Sequence, residues 1–186
     1  MKRLLAWVPV CTALWTGCSR STDIPSYYPL PEFSLTDQAG KSVTLHDLAG
    51  RVWVADFIFT SCGGTCPLMT AKMRKLQDVL PPAIRLVSLT VDPARDTPEI
   101  LAAYAGEHGA AVDRWLFLTG DKQALYDLCV KGFKLPLETE GGTPAEPIVH
   151  STRFVLVDKR GEIRGYYSGT EEDELKRLAI DAKKLS

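Results

Sequence analysis

Apolar positions along this chain follow two rhythms, one suited to buried strands and one to helix faces, and the two take turns. Val52 to Phe59 is a nearly continuous apolar run, broken by Asp56, of the kind that forms a strand covered on both faces. Met69, Met73, Leu76 and Leu80 then line one face of a helix that begins near Pro67 and is stopped by Pro81-Pro82. Ile84 to Val91 returns to strand. Asp96-Thr97-Pro98-Glu99 opens a second helix, with Asp96 or Thr97 as its cap, and Ile100, Leu101 and Tyr104 as its buried face. Trp115 to Leu118 reads as strand and Lys122 to Val130 as helix. Arg153 to Val157 and Glu162 to Tyr167 read as a hairpin turning through Asp158-Lys159-Arg160-Gly161, and Leu175, Leu178, Ala182 and Leu185 mark a final helix. Ser42 to Leu45 adds a short, half-exposed strand. The alternation predicts an α/β domain around a partly parallel sheet.

Two stretches break the rhythm. Between Lys134 and Ile148, three prolines and the Gly141-Gly142 pair predict a mobile loop of functional type. Ser19 to Pro31, with three prolines and two tyrosines, reads either as a tether, the assignment we take for residues 18–31, or as an edge segment lying on the domain.

The N-terminus has its own pattern. Lys2 and Arg3 precede thirteen uncharged residues, Leu4 to Thr16, too short a run to span a hydrocarbon core and interrupted by Pro9. This predicts an export signal over residues 1–17. The segment Leu14-Trp15-Thr16-Gly17-Cys18 resembles a bacterial lipobox, which implies acylation of Cys18 and anchoring to a membrane from outside the cytoplasm, in the periplasm or on the outer face of the cytoplasmic membrane. Ordinary signal-peptidase cleavage is the alternative.

With 186 residues, 45% of them hydrophobic, the chain suits one globular domain. Its net charge of −1 provides no cationic field to draw a phosphate backbone, so a nucleic-acid partner is not expected.

Cysteine usage sharpens the picture. Cys11 lies in the signal and Cys18 in the lipobox. Cys129 follows Leu125 and Leu128 and reads as a small buried hydrophobe. Cys62 and Cys66 remain, four residues apart at a strand-to-helix junction, with Gly63 and Gly64 allowing a tight turn between them. Such a pair can converge on a soft metal ion or join as a reversible disulfide. Pro67 suits a first helical position, so the helix dipole is expected to favour the Cys66 thiolate. His46 and His108 read as structural or solvated, whereas His150, at the end of the mobile loop, reads as either a ligand swung over the thiols or a hydrogen-bonded loop histidine.

Three segments taken together resemble the Sco/SenC family: Cys62-Gly-Gly-Thr-Cys66-Pro67, Thr90-Val91-Asp92-Pro93-Ala94-Arg95-Asp96-Thr97-Pro98-Glu99, and Val149-His150-Ser151-Thr152. The resemblance implies a thioredoxin-like fold over residues 32–186, with a central mixed sheet flanked by helices and an N-terminal hairpin extension. It also implies copper, as Cu(I) or Cu(II), held by Cys62, Cys66 and His150. Asp92 and Asp96 would then orient a ligand or supply a hydrogen bond near the copper, or else serve turns and caps. The expected partner is the cytochrome c oxidase subunit bearing the CuA site, to which the protein would deliver copper or whose cysteines it would keep reduced, or another periplasmic copper or thiol protein. The alternative is a thiol:disulfide oxidoreductase working through a redox-active Cys62–Cys66 disulfide, or a redox or copper sensor without a delivery role. Peroxide reduction is disfavoured, because Phe59 and Gly63 stand three residues before the two cysteines, where a hydroxyl would be needed.

Overall fold

The computed structural model describes residues 24–138 and 148–186. The export signal, Cys11, Cys18, residues 18–23 of the tether and residues 139–147 of the long loop lie outside the described residues.

A seven-stranded sheet organises the chain. Its strands are β1 (Ser34–Asp37), β2 (Ser42–Thr44), β3 (Trp53–Ile58), β4 (Arg85–Thr90), β5 (Trp115–Thr119), β8 (Arg153–Val157) and β9 (Ile163–Ser168), in the order β2-β1-β5-β4-β3-β8-β9. Strands β3, β4 and β5 run parallel, and all other pairings in the sheet are antiparallel. The sheet is therefore mixed, and β1–β2 forms the N-terminal hairpin. Two short strands, β6 (Leu137–Glu138) and β7 (Val149–His150), make a separate ladder in which Leu137 faces His150 and Glu138 faces Val149. The helices are α1 (Leu45–Leu48), α2 (Cys66–Val79), α3 (Pro98–Glu107), α4 (Lys122–Asp127) and α5 (Glu172–Leu185).

Strand β3 is central, and all six of its residues are buried. Burial of each large apolar side chain contributes about 1.5–3 kcal/mol, which makes this strand the thermodynamic spine of the fold. Because strand side chains alternate, Trp53 and Phe57 share one face, where both meet the edge of the Phe133 ring at centroid separations of 6.1 and 5.3 Å. Val54, Asp56 and Ile58 point to the opposite face. Asp56 is fully buried there and accepts a hydrogen bond from Ser88, which in turn accepts one from the indole of Trp115. Its second oxygen has no partner among the described residues. Burial pushes the Asp56 carboxyl up to about 7, against the Ser88 bond that favours the ionised form.

Several expectations need correction. Leu45 leaves the predicted strand to begin α1, where Thr44 and Asp47 exchange the reciprocal bonds of a capping box. Thr97, not Asp96, caps α3 by accepting from the Ile100 amide. The predicted helix over Lys122 to Val130 ends as α-helix at Asp127 and continues as a π-helical turn, Leu128–Gly132, which sets Cys129 fully buried, its thiol raised to about 12 by that burial. The predicted loop from Lys134 is already engaged at Leu137–Glu138 through β6.

Residues 24–31 take the edge-segment alternative. The Tyr27 and Leu30 amides donate to the carbonyls of Ile163 and Gly161, and the Ile163 amide donates to Tyr28, so the segment runs antiparallel along β9. Arg164 donates to the carbonyls of Ile24 and Pro25, each at 2.8 Å, while its guanidinium also holds Asp158 at 2.8 Å. Burial alone would raise Asp158, but Arg164 and the amides of Glu162 and Arg160 outweigh it and hold the carboxyl below its ordinary value.

Candidate metal and thiol site

The thiol loop leaves the C-terminal end of β3, as the alternation of parallel strands and helices requires of a site in this class of sheet. Cys62 follows a turn closed by its own amide on the Phe59 carbonyl, and Cys66 is the first residue of α2. Both are buried, at 7% and 1% exposure, and both are free thiols. Pro67 stands in the first turn, where its missing N–H costs nothing.

Asp96 fixes the entrance to this loop. Fully buried, it accepts from the Thr60 amide at 3.1 Å, from the Thr60 hydroxyl and from the Thr90 hydroxyl. One carboxylate thus ties the ends of β3 and β4 together two residues before Cys62. Asp92 does something else: its amide donates to Thr90, its carbonyl accepts from the amides of Arg95 and Asp96, and its carboxylate pairs with Arg95 at 3.7 Å.

His150 arrives from the other side, on β7. Its Nε2 lies 3.1 Å from the Cys66 sulfur, its Nδ1 lies 3.1 Å from the Ser151 carbonyl, and its ring meets Phe59 edge-on at 5.7 Å. A carbonyl can only accept, so Nδ1 carries the proton and the Nε2 lone pair faces sulfur. That is the tautomer a metal-binding imidazole adopts when a second partner holds its far nitrogen. Phe59, Thr60 and the Ser151 carbonyl brace the site without any signal along the chain that marks them for it, since the partners of Phe59 and Thr60 come from distant segments.

The expected acidity of Cys66 is reversed. Burial, the largest influence, raises its thiol well above the ordinary value, and the neighbouring Cys62 thiol adds to this, while a backbone hydrogen bond from Phe59 opposes it. The helix dipole acts on the thiol, but desolvation of a charge is the larger effect.

Among the described residues no three His, Cys, Asp or Glu side chains are already spread around a common metal position. With bonds of the lengths zinc makes, about 2.3 Å to sulfur and about 2.0 Å to nitrogen, two ligands of one ion stand roughly 3.5 Å apart. Cys66 and His150 sit inside that separation as a closed thiol–imidazole hydrogen bond. Two thiols and one neutral imidazole nonetheless make a soft donor set of the kind that suits copper. The same two thiols can also close on each other as a disulfide.

The SCO1/SenC family profile matches residues 26–184. A SCO1 protein homolog of Bacillus subtilis is 36% identical over 166 residues, covering 87% of this chain and 85% of its own. A candidate copper-binding protein of Stutzerimonas stutzeri is 34% identical, with 77% and 71% covered. Among solved structures, a SCO1/SenC family lipoprotein from Bacillus anthracis superposes with a TM-score of 0.77 at 34% identity, covering 85% of this chain and 95% of that one. BsSco, a member of the Sco family of cytochrome c oxidase assembly proteins in which a disulfide switch was identified, gives 0.75 at 33%, covering 88% and 98%. Matched across nearly its whole described length in sequence and in fold, the chain belongs to the SCO1/SenC family.

Proposed function

We propose that this protein is a copper-binding assembly factor acting outside the cytoplasm, with Cys62, Cys66 and His150 as the copper ligands. The observation that carries the reading is the 3.1 Å approach of His150 Nε2 to the Cys66 sulfur, with the imidazole held in its Nε2-accepting tautomer by Ser151. Thiolates suit Cu(I), and an added imidazole makes the set serviceable for Cu(II) as well. The cargo would pass to the cysteines of an oxidase CuA subunit by exchange of ligands. Support for that destination is the kinship with BsSco, itself assigned to cytochrome c oxidase assembly. Asp96 acts by positioning Thr60, and through it the cysteine loop.

Export and anchoring belong to the same reading: residues 1–17 direct secretion and Cys18 is acylated. No helix among the described residues is long and apolar enough to cross a membrane, and a solved relative is a lipoprotein.

The two adjacent free thiols also support a second reading, reduction of a partner's disulfide. In that reaction the partner's S–S bond breaks and a Cys62–Cys66 bond forms. Two electrons and two protons pass from the dithiol to the partner's thiols. An anaerobic copper titration of the reduced chain from Ser19 separates the readings. One copper per monomer, with nitrogen in the inner sphere by X-ray absorption, is expected; no binding leaves only the thiol exchange.

A further inference from the structure

We propose that the edge of the domain formed by residues 24–28 and β9 seats against a lipid surface, with Tyr27 and Tyr28 in the headgroup layer. The inference rests on acylation at Cys18, proposed above, and adds to it the face that meets the membrane.

The first argument is one of length. Arg164 and the backbone bonds to Ile163 and Gly161 pin the chain from Ile24 onward. Only Ser19 to Asp23 separate that pinned point from Cys18. Fully extended, the six steps from Cys18 to Ile24 reach at most about 20 Å. The sheet between this edge and β2 at the other is seven strand spacings wide, about 34 Å. The leash is therefore shorter than the sheet, and an acyl chain on Cys18 brings the residue 24–28 edge to the bilayer while β2 stays away from it.

The second argument is the chemistry of that edge. Tyr27 and Tyr28 stand 48% and 49% exposed beside each other, although both rings are large enough to be expected inside. Tyr27 is braced edge-on by Tyr166 at 5.6 Å, and the Lys134 ammonium lies 5.8 Å over the Tyr28 ring. Lys184 and Arg177 line the same depression as Ile24 and Tyr27, Lys184 paired there with Asp181 at 3.4 Å and Arg177 with Glu174 at 2.6 Å. An apolar ring with a polar tip is the kind of side chain that partitions into the interface between acyl chains and headgroups, and Lys134 beside Tyr28 adds a cation suited to anionic headgroups.

The test uses the full-length acylated protein on nanodiscs of phosphatidylethanolamine and phosphatidylglycerol carrying a gadolinium-chelating lipid. Paramagnetic relaxation of backbone amides is expected to be at least fivefold greater at Tyr27 and Tyr28 than at Gly40, in the β1–β2 turn. Tyr28→Ser, which leaves the Tyr27–Tyr166 contact intact, should lower that ratio at least twofold. Equal relaxation at the two edges, or a ratio unmoved by Tyr28→Ser, overturns the seating while leaving the anchor standing. Absence of acyl mass on Cys18 overturns the anchor and the seating with it.

Discussion

The Nε2 atom of His150 lies 3.1 Å from the sulfur of Cys66, although 84 residues separate them along the chain. The β6–β7 ladder and the close of β7 into β8 bring the imidazole to a thiol fixed at the start of α2. Replacing His150 by Ala should weaken Cu(II) binding at least tenfold and Cu(I) binding less. The soft ion retains both sulfurs, whereas the harder one needs nitrogen. Competition titrations against chelators of each oxidation state check this, and equal losses would contradict the ligand assignment.

Asp96→Ala removes the acceptor for one amide and two hydroxyls in a buried setting. Losing a network of this kind should cost about 2–4 kcal/mol in urea denaturation, and it should also loosen the Thr60 turn and so lower copper affinity. Thr90→Val, which deletes one of the three bonds, should cost about a third as much.

Asp56 provides a pH signature. An unfolded aspartate titrates near its ordinary 3.8, while burial holds the native group protonated up to about 7. Between those values the folded state binds more protons, so the stability contribution of this group falls as pH rises through the window and levels off above it. The effect has a ceiling of about 4 kcal/mol. Asp56→Asn should flatten the pH dependence of the unfolding free energy between pH 4 and 8, and a slope equal to that of the wild type would refute the assignment.

At Gly169 the sheet comes too close for any side chain. A Cβ there would stand 2.5 Å from the Thr152 carbonyl oxygen, to which the Gly169 amide donates at 2.7 Å. Gly169→Ala should therefore destabilise the fold by about 1–3 kcal/mol. Because Thr152 is two residues from His150, Cu(II) affinity should fall with it, read in the same titration.

Labelled palmitate fed to cells making the full-length chain should enter through Cys18. Incorporation that survives Cys18→Ala would exclude acylation at that position.

Elements are legible along the chain where burial follows periodicity and are not where it does not. The apolar run of β3 and the stepped apolar face of α2 were legible because each is covered by the core along its length. Strand β1 is legible only through the hairpin that the resemblance implies, since Ser34-Leu35-Thr36-Asp37 offers one large apolar side chain and owes its state to pairing with β2 and β5. Strands β6 and β7 are two residues each, too short to carry any period. At the site, Cys62, Cys66 and His150 were recognisable as chemistry-bearing residues in a familiar order. The acidity of Cys66 was not, because the dipole follows from local sequence whereas desolvation depends on distant residues packing over the sulfur. Of the two roles open to Asp96, cap or hydrogen-bond partner near the site, the second needs the fold to be seen, because its partners are Thr60 in the turn after β3 and Thr90 at the end of β4.

The deep placement of the two sulfurs, at 7% and 1% exposure, has a consequence for traffic in and out of the site. Small competing thiols and adventitious chelators find almost no sulfur surface to grip. In the proposed delivery, any recipient would have to press a complementary shape against the loop before exchange could begin. Under the delivery role proposed above, selectivity among recipients would be enforced by steric admission, ahead of any difference in binding strength, and the cargo would be insulated between encounters.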